Sequence, residues 1–161
     1  MRHYTLFLLP FLITFNQAFS QQAKDYKQYI RIIKEHVYQD YKGMYREPAG
    51  ALVHPFIVPG SQQYSNILWD WDSWLTNVAL RQILEDVGNE KDKQEALKYE
   101  QGCVMNYLEF GGLEGWIPIW IHEDHNWEDN RPEDIYATNM HKPCLAQHAA
   151  FITQMQNGDA E

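Results

Sequence analysis

The sequence predicts an all-α fold whose helices are separated by long loops rich in aromatic and acidic residues. Apolar residues recur at spacings of three and four in several segments, which is the period of one helix face. No segment carries a strong strand pattern, and no repeat of fixed length is present. The connecting segments are far longer than the roughly two to eight residues usual between the helices of a bundle. Because these loops contain Trp and Ile, we expect them to be ordered and functional.

The N-terminal residues have the pattern of a secretory signal peptide. A basic start is followed by an apolar stretch over residues 4–15, and the small residues Ala18 and Ser20 stand where signal peptidase reads the chain. The stretch is shorter than the roughly twenty apolar residues that a membrane helix needs. We therefore predict a signal peptide over residues 1–20 and a mature chain over residues 21–161, exported to a periplasm or the outside, with no membrane segment after cleavage.

The helices follow in order along the mature chain. The first is expected over Lys24–Tyr41, where apolar positions line one face and Gly43 ends the pattern. A segment rich in Pro and Gly comes next, with one short extended piece near Ala51–Val53. Three further helices are expected, from Asp72–Ser73 to Gly88, from Lys91 to Phe110, and from His141, with Pro143 in the first turn, to Asn157.

Charge and cysteine content restrict the partners. Lys and Arg number 13 against 22 Asp and Glu, so the formal net charge is −9. Binding to phosphate backbones requires clustered basic residues, so we expect no nucleic-acid partner, whereas neutral sugars fit well. Cys103 and Cys144 are too few for a disulfide framework, and they leave open either one disulfide or two buried free thiols.

The segment from Trp69 to Trp74, WDWDSW, alternates indoles with carboxylates. An indole stacks on the apolar face of a sugar ring, and a carboxylate accepts strong charge-assisted hydrogen bonds from the ring hydroxyls. This pattern makes candidate sugar ligands of Trp69, Asp70, Trp71 and Asp72. The alternative is that Asp72 caps the second helix while the indoles anchor the loop in the core.

A second candidate wall of a sugar cleft is the segment GWIPIWIHEDHNW. Its aromatic and acidic side chains, with one acid just before it, are Glu114, Trp116, Trp120, Glu123, Asp124 and Trp127. His122 and His125 could ligate a metal together with the acids between them. Because no Cys or third His stands at a fixed short spacing, we favour the cleft wall.

A third candidate is NMHKPCLAQHAAF, at the start of the fourth helix. Unpaired backbone N–H groups at a helix start can bind ligand oxygens, and polar side chains are gathered there, namely Asn139, His141, Lys142 and Gln147. Gln147 and His148 can instead be ordinary residues of the helix surface, which is the interpretation we favour for His148. The chain contains no G-x-S-x-G nucleophile elbow and no phosphate-binding glycine-rich loop.

Together these segments resemble the early part of the (α/α)6-barrel glycoside hydrolases. The similarity is to the family 63 type enzymes and the mannosylglycerate-hydrolase-like group, and more distantly to trehalases. It rests on a Trp-Asp-Ser motif opening an inner helix, a Gly-x-Ile-Pro loop, and a Pro-containing helix start with a Gln, in that order over roughly Tyr45–Thr153. The resemblance implies a partial (α/α)6 barrel, about the first four helices of two concentric rings.

The resemblance also implies an exo-acting, inverting α-glycosidase with a carbohydrate substrate. The sugar subsite would include Tyr64, Trp69, Asp70, Trp71, Asp72, Trp120 and Gln147. Inverting hydrolysis needs a general acid and a general base, and neither family position matches a residue here. We therefore expect both beyond Glu161, with residues 21–161 forming the N-terminal portion of the catalytic domain and the rest of the barrel missing. No cofactor and no metal is expected.

Two other functions stay open. One is a non-catalytic exported carbohydrate-binding module that uses the same Trp and Asp residues. The other is a helical metal-dependent protein with His122, His125 and His141 as ligands.

Overall fold

The structure is a computed structural model that describes residues 26–60, 64–111, 115–126 and 141–156. The chain divides into two compact units, Met1–Gln39 and Asp40–Glu161. The expected signal peptide lies outside the described residues. Within the part that is described, no helix combines the length and the apolar character needed to cross a membrane.

Helix α1 covers residues 26–40, which confirms the first predicted helix over the described range. Inside it, Arg31 Nε donates to Glu35 Oε1 at 2.9 Å across one helical turn. A short 3-10 helix, Tyr41–Met44, follows in the chain. Helix α1 itself ends at residue 40, one residue before the predicted end at Tyr41.

The second unit contains two antiparallel ribbons of very short strands, β1 (Tyr45–Arg46) with β2 (Phe56–Ile57) and β3 (Ile67–Trp69) with β4 (Trp120–His122). The sequence predicted one extended piece, at Ala51–Val53. The structure has an isolated bridge there, between Ala49 and Leu52. Strands of two or three residues are too short to show the alternating pattern by which strands are recognised.

Three helices complete the unit: α2 (Asp70–Val87), α3 (Glu90–Phe110) and α4 (Leu145–Met155). Helix α3 starts within one residue of its predicted start, and Asn89 caps it by accepting a hydrogen bond from Asp92 N at 3.0 Å. The described residues are mostly helical, which confirms the predicted all-α class at that coarse level.

The start of the fourth helix was predicted wrongly. Helix α4 begins at Leu145 rather than near His141, because Cys144 N bonds to Lys142 O at 2.7 Å and the segment turns before the helix starts. Pro143 therefore lies before the helix and not in its first turn.

The core forms where α3 packs against α2, α4 and strand β2. At Gly102 an added Cβ would lie 1.7 Å from Pro55 O, so only glycine lets α3 approach the chain before β2 so closely. Leu97, Val104 and Ile152 form the apolar contact between α3 and α4.

Beside this contact lies a buried polar group. Glu100 on α3 accepts a hydrogen bond from Arg81 Nη2 on α2, and its Oε1 lies 3.2 Å from His148 Nε2 on α4. His148 is 2% exposed, so its predicted place on the helix surface was wrong. The side of α4 that carries His148 turns toward α3, where its Nε2 lies within ion-pair distance of Glu100.

Candidate functional site

The β3–β4 ribbon presents indoles on its outer face. Trp69 and Trp120 are directly opposite each other in the register, with ring centroids 5.9 Å apart. The neighbouring pair, Leu68 and Ile121, points the other way and is fully buried. Because side chains alternate along a strand, the ribbon is anchored by its aliphatic face and offers the indoles on its other face.

Further rings extend this pair into an aromatic row, which we define as Tyr64, Trp69, Trp120, His125 and Phe110. Tyr64 meets Trp69 edge-to-face at 5.8 Å, and the imidazole of His125 lies 4.4 Å from the Trp120 ring. Phe110, at the end of α3, follows at 6.1 Å from His125. The row brings residues from separate segments into one line of flat, partly exposed faces.

The row is fixed to the core by one phenol. Tyr107 of α3 is fully buried, and its hydroxyl lies 2.9 Å from Leu68 O and 3.3 Å from Ile119 O. The hydroxyl donates to the carbonyls of both ribbon segments. Burial raises the pKa of Tyr107 well above its usual value, so the donor proton is retained.

Beyond His125 the row borders an open hollow of about 550 Å³. Its lining includes Phe110 and His125 with the polar side chains of Glu109 and Asn126. Gly50 forms one wall with φ +54°, and an added Cβ there would lie 1.9 Å from Glu123 O. The close approach of these two chain segments therefore requires glycine at this position.

Polar groups that suit hydroxyls surround the row and the hollow. Glu109 Oε1 lies 2.7 Å from His54 Nε2, and Asn66 Nδ2 donates to Glu123 Oε1 at 2.7 Å at the end of the ribbon. All four side chains are at least partly exposed. Burial, and then the nearby His122, lower the pKa of His125, so that its ring is neutral near pH 7. Its Nδ1 accepts from His122 N at 3.3 Å, which leaves the Nε2–H group as a donor.

Asp70 of the WDWDSW segment is sealed rather than displayed. Its side chain has no exposed surface, Oδ1 accepts from Trp71 N at 2.6 Å, and Oδ2 accepts from Lys142 N at 2.9 Å. The Lys142 ammonium lies 3.7 Å from the same oxygen. Asp70 therefore fastens the segment before α4 to the start of α2, and a ligand would have to displace Lys142 to reach it.

Trp71 and Asp72 lie near the surface instead. Trp71 is 49% exposed, and Lys142 Nζ lies 4.7 Å from the centroid of its ring. Asp72 is half-buried in the first turn of α2. No ring contact among the described residues joins Trp71 to the aromatic row, so the candidates of WDWDSW divide between two surfaces.

The remaining candidates are spread more widely. Gln147 is exposed on α4, as its alternative interpretation predicted. His122 and His125 have ring centroids 6.2 Å apart, whereas His141 packs against Tyr107 at 4.5 Å. Within the described residues, the three histidines proposed as one metal site do not form one cluster. Glu114, Trp127 and Asn139 lie outside those residues.

Phe110 and Glu109 were not predicted as site residues, because in the sequence they mark only the end of a helix. Their place beside His125 depends on the return of the chain after β4, and no local spacing indicates it. Cys103 and Cys144 are both free and buried, which settles the alternative left open for them. Burial raises the pKa of Cys103 to about 12, so this thiol is unreactive in the folded chain.

Comparison of the chain with protein-family models, with curated proteins and with solved structures found no match.

Proposed function

We propose that this chain is carbohydrate-active: the N-terminal part of the catalytic domain of an exported inverting α-glycosidase, with the aromatic row as part of its sugar-binding wall. The observation that carries the proposal is the cross-strand pair of Trp69 and Trp120 continuing through His125 to the hollow beside Glu109. The ordered sequence motifs supply the reaction class.

The chemistry of the row suits a pyranose. Ring C–H faces are apolar and flat, and stacked indoles cover them at little cost in conformational entropy. Ring hydroxyls need acceptors and donors at the edge of that face. Glu109, Asn126 and the neutral imidazole of His125 supply both kinds of group.

In this proposal the described residues supply the sugar-binding wall, and the general acid and general base lie beyond Glu161. Apolar side chains on α2 and α3 are consistent with further helices packing there: Leu75 is 52% exposed and Leu108 is 54% exposed. In an (α/α)6 barrel such positions are covered by neighbouring helices of the two rings.

Binding of neutral oligosaccharides tests the proposal. We expect weak, saturable quenching of Trp fluorescence, and Trp120→Ala should raise Kd about fivefold through loss of about 1 kcal/mol of stacking. Tyr29→Ala is the matched control, because it removes a ring that is 65% exposed on α1. The proposal is contradicted if quenching in the parent chain does not saturate, or if Trp120→Ala has the same Kd as the parent chain.

A second candidate is the non-catalytic carbohydrate-binding module. It is favoured by the same row, since the hollow and the rings come entirely from the described residues. Measurements of sugar affinity and of hydrolysis distinguish the binding module from the glycosidase. A complete module binds tightly alone and hydrolyses nothing, whereas the glycosidase hydrolyses α-glycosides with inversion once the chain beyond Glu161 is present.

A further inference from the structure

A cluster of unlike side chains lies where the start of α2 meets the segment before α4. Asp70, His141 and Cys144 each direct one atom able to ligate a metal into the same small volume, and these atoms all lie within 4.8 Å of one another. Asp70 and Cys144 are buried and His141 is half-buried. The cluster joins residues more than seventy positions apart, so the fold creates it rather than the local sequence.

The hydrogen bonds of His141 prepare it as a ligand. Its Nδ1 lies 2.6 Å from Lys142 O, and a carbonyl oxygen can only accept, so Nδ1 carries the proton and donates it. The other ring nitrogen, Nε2, therefore holds a free lone pair in the neutral ring. Metal-ligating histidines are typically oriented by such a bond from the second nitrogen to a backbone carbonyl.

We propose that Asp70, His141 and Cys144 form a binding site for a zinc-type divalent cation. One carboxylate, one imidazole and one thiolate form a mixed set that suits Zn²⁺ better than Ca²⁺ or Mg²⁺, which prefer oxygen ligands alone. Three protein ligands leave a fourth position for water. The Cys144 thiol gives up its proton to solvent as the metal–sulfur bond forms.

Lys142 would compete with a cation for the carboxylate of this cluster. Its ammonium lies 3.7 Å from Asp70 Oδ2 and also 4.7 Å from the centroid of the Trp71 ring. Because a dication at the cluster would repel this ammonium, we expect Lys142 to give up Asp70 and to keep its contact with Trp71. Lys142 is thus a competitor of the metal, and its removal should strengthen binding.

The geometry requires only a small contraction. Zinc bonds of about 2.0–2.3 Å in a tetrahedral site place ligand atoms about 3.3–3.8 Å apart, so each side chain must shift by a fraction of the present separation. The inference does not depend on the glycosidase proposal, because the aromatic row contributes no ligand. It does depart from the sequence analysis, which expected no metal.

The experiment uses the full, tag-free chain after treatment with a chelator. Titration with Zn²⁺ against a chromophoric chelator should give one site per chain and a higher Tm, because a ligand that binds the native state stabilises it. Co²⁺ should give a thiolate-to-cobalt charge-transfer band together with the visible bands of a tetrahedral site. These bands separate the cluster from the second group of possible ligands, His122, Glu123 and Asp124, which has no thiol.

Matched variants complete the test. Cys144→Ser should abolish the cobalt band and weaken zinc binding by more than about tenfold, since even the loss of outer-shell partners costs about 10–100-fold. Cys103→Ser removes the other buried thiol, which accepts from Ile57 N at 3.3 Å, and should change neither. Lys142→Met should bind zinc more tightly than the parent chain.

His141→Gln provides a second ligand variant for the case in which Cys144→Ser does not fold. Absence of one-to-one binding by the parent chain overturns the proposal. So does a cobalt charge-transfer band that survives in Cys144→Ser or disappears in Cys103→Ser.

Discussion

The β3–β4 ribbon and the start of α2 are both rich in Trp and in carboxylates, yet the structure uses them in opposite ways. The ribbon buries Leu68 and Ile121 and leaves Trp69 and Trp120 half-buried on its other face. The helix start buries Asp70 and leaves Trp71 at the surface, where its ring faces the Lys142 ammonium. Composition alone does not show which of these side chains is accessible to a ligand. Its accessibility depends on the partner that each side chain contacts from a distant part of the chain.

The largest expected effect concerns the buried face of the ribbon. Leu68→Ala should lower the free energy of unfolding by about 3–4 kcal/mol, because it removes a fully buried side chain and leaves a cavity. Urea denaturation followed by circular dichroism measures the change. A loss below about 1 kcal/mol, the size of a surface effect, would show that the ribbon is not anchored by this face.

The next effect compares two aspartates in one helical turn. Asp70→Ala should cost about 3 kcal/mol, since it leaves the N–H groups of Trp71 and Lys142 without their charged acceptor. Asp72→Ala is the matched control, and should cost about 0.3–1 kcal/mol through the helix dipole. Equal losses in urea denaturation would remove the distinction between the sealed and the displayed carboxylate.

A pH effect is expected from two buried phenols outside the aromatic row. Tyr99 donates to Glu47 Oε1 at 2.6 Å, and this bond, followed by burial, raises its pKa to about 12. Burial is the first cause that raises the pKa of Tyr41 to about 12. Because the folded pKa lies above the unfolded value of 10.0, stability is complete below pH 10 and falls as pH rises toward 12.

Unfolding measured across this alkaline window, together with phenolate absorbance, checks the effect. Tyr99→Phe should flatten the loss of stability in that range. An unchanged slope in Tyr99→Phe would mean that this phenol does not contribute to it.

The smallest effect belongs to Trp71. Its ring is 49% exposed and faces the Lys142 ammonium, so Trp71→Ala should cost only about 0.5–1 kcal/mol. Trp71→Phe keeps a ring and should recover part of that loss. A cost above about 2 kcal/mol in urea denaturation would place Trp71 with the buried anchors instead.

The helices were predictable because their cause is local. The period of apolar residues and the glycine after α2 are visible in the sequence, and α2 and α3 lie within two residues of their predicted starts. The start of α4 was not predictable in this way, since the turn at Cys144 delays it and Asp70 fixes that turn through Lys142 N. This contact spans 72 positions.

The site was predictable in its residue types and not in its pairing. Trp69 and Trp120 both stood out by composition, but their opposition depends on the register of two strands that are each too short to recognise. The burial of His148 likewise depends on Glu100, which lies on another helix. Contacts between residues far apart in the chain produce no regular spacing, so the sequence alone does not predict them.

The phenol of Tyr107 contacts the backbone of the β3–β4 ribbon and not the rings of the aromatic row. This hydroxyl reaches the carbonyls of Leu68 and Ile119 from within α3, and the two strands are paired through their backbones. Rings of the aromatic row can then be substituted while the spacing of the two strands is kept. Under the proposed function, sugar preference would then change through substitutions of these rings alone, while the interior keeps its packing.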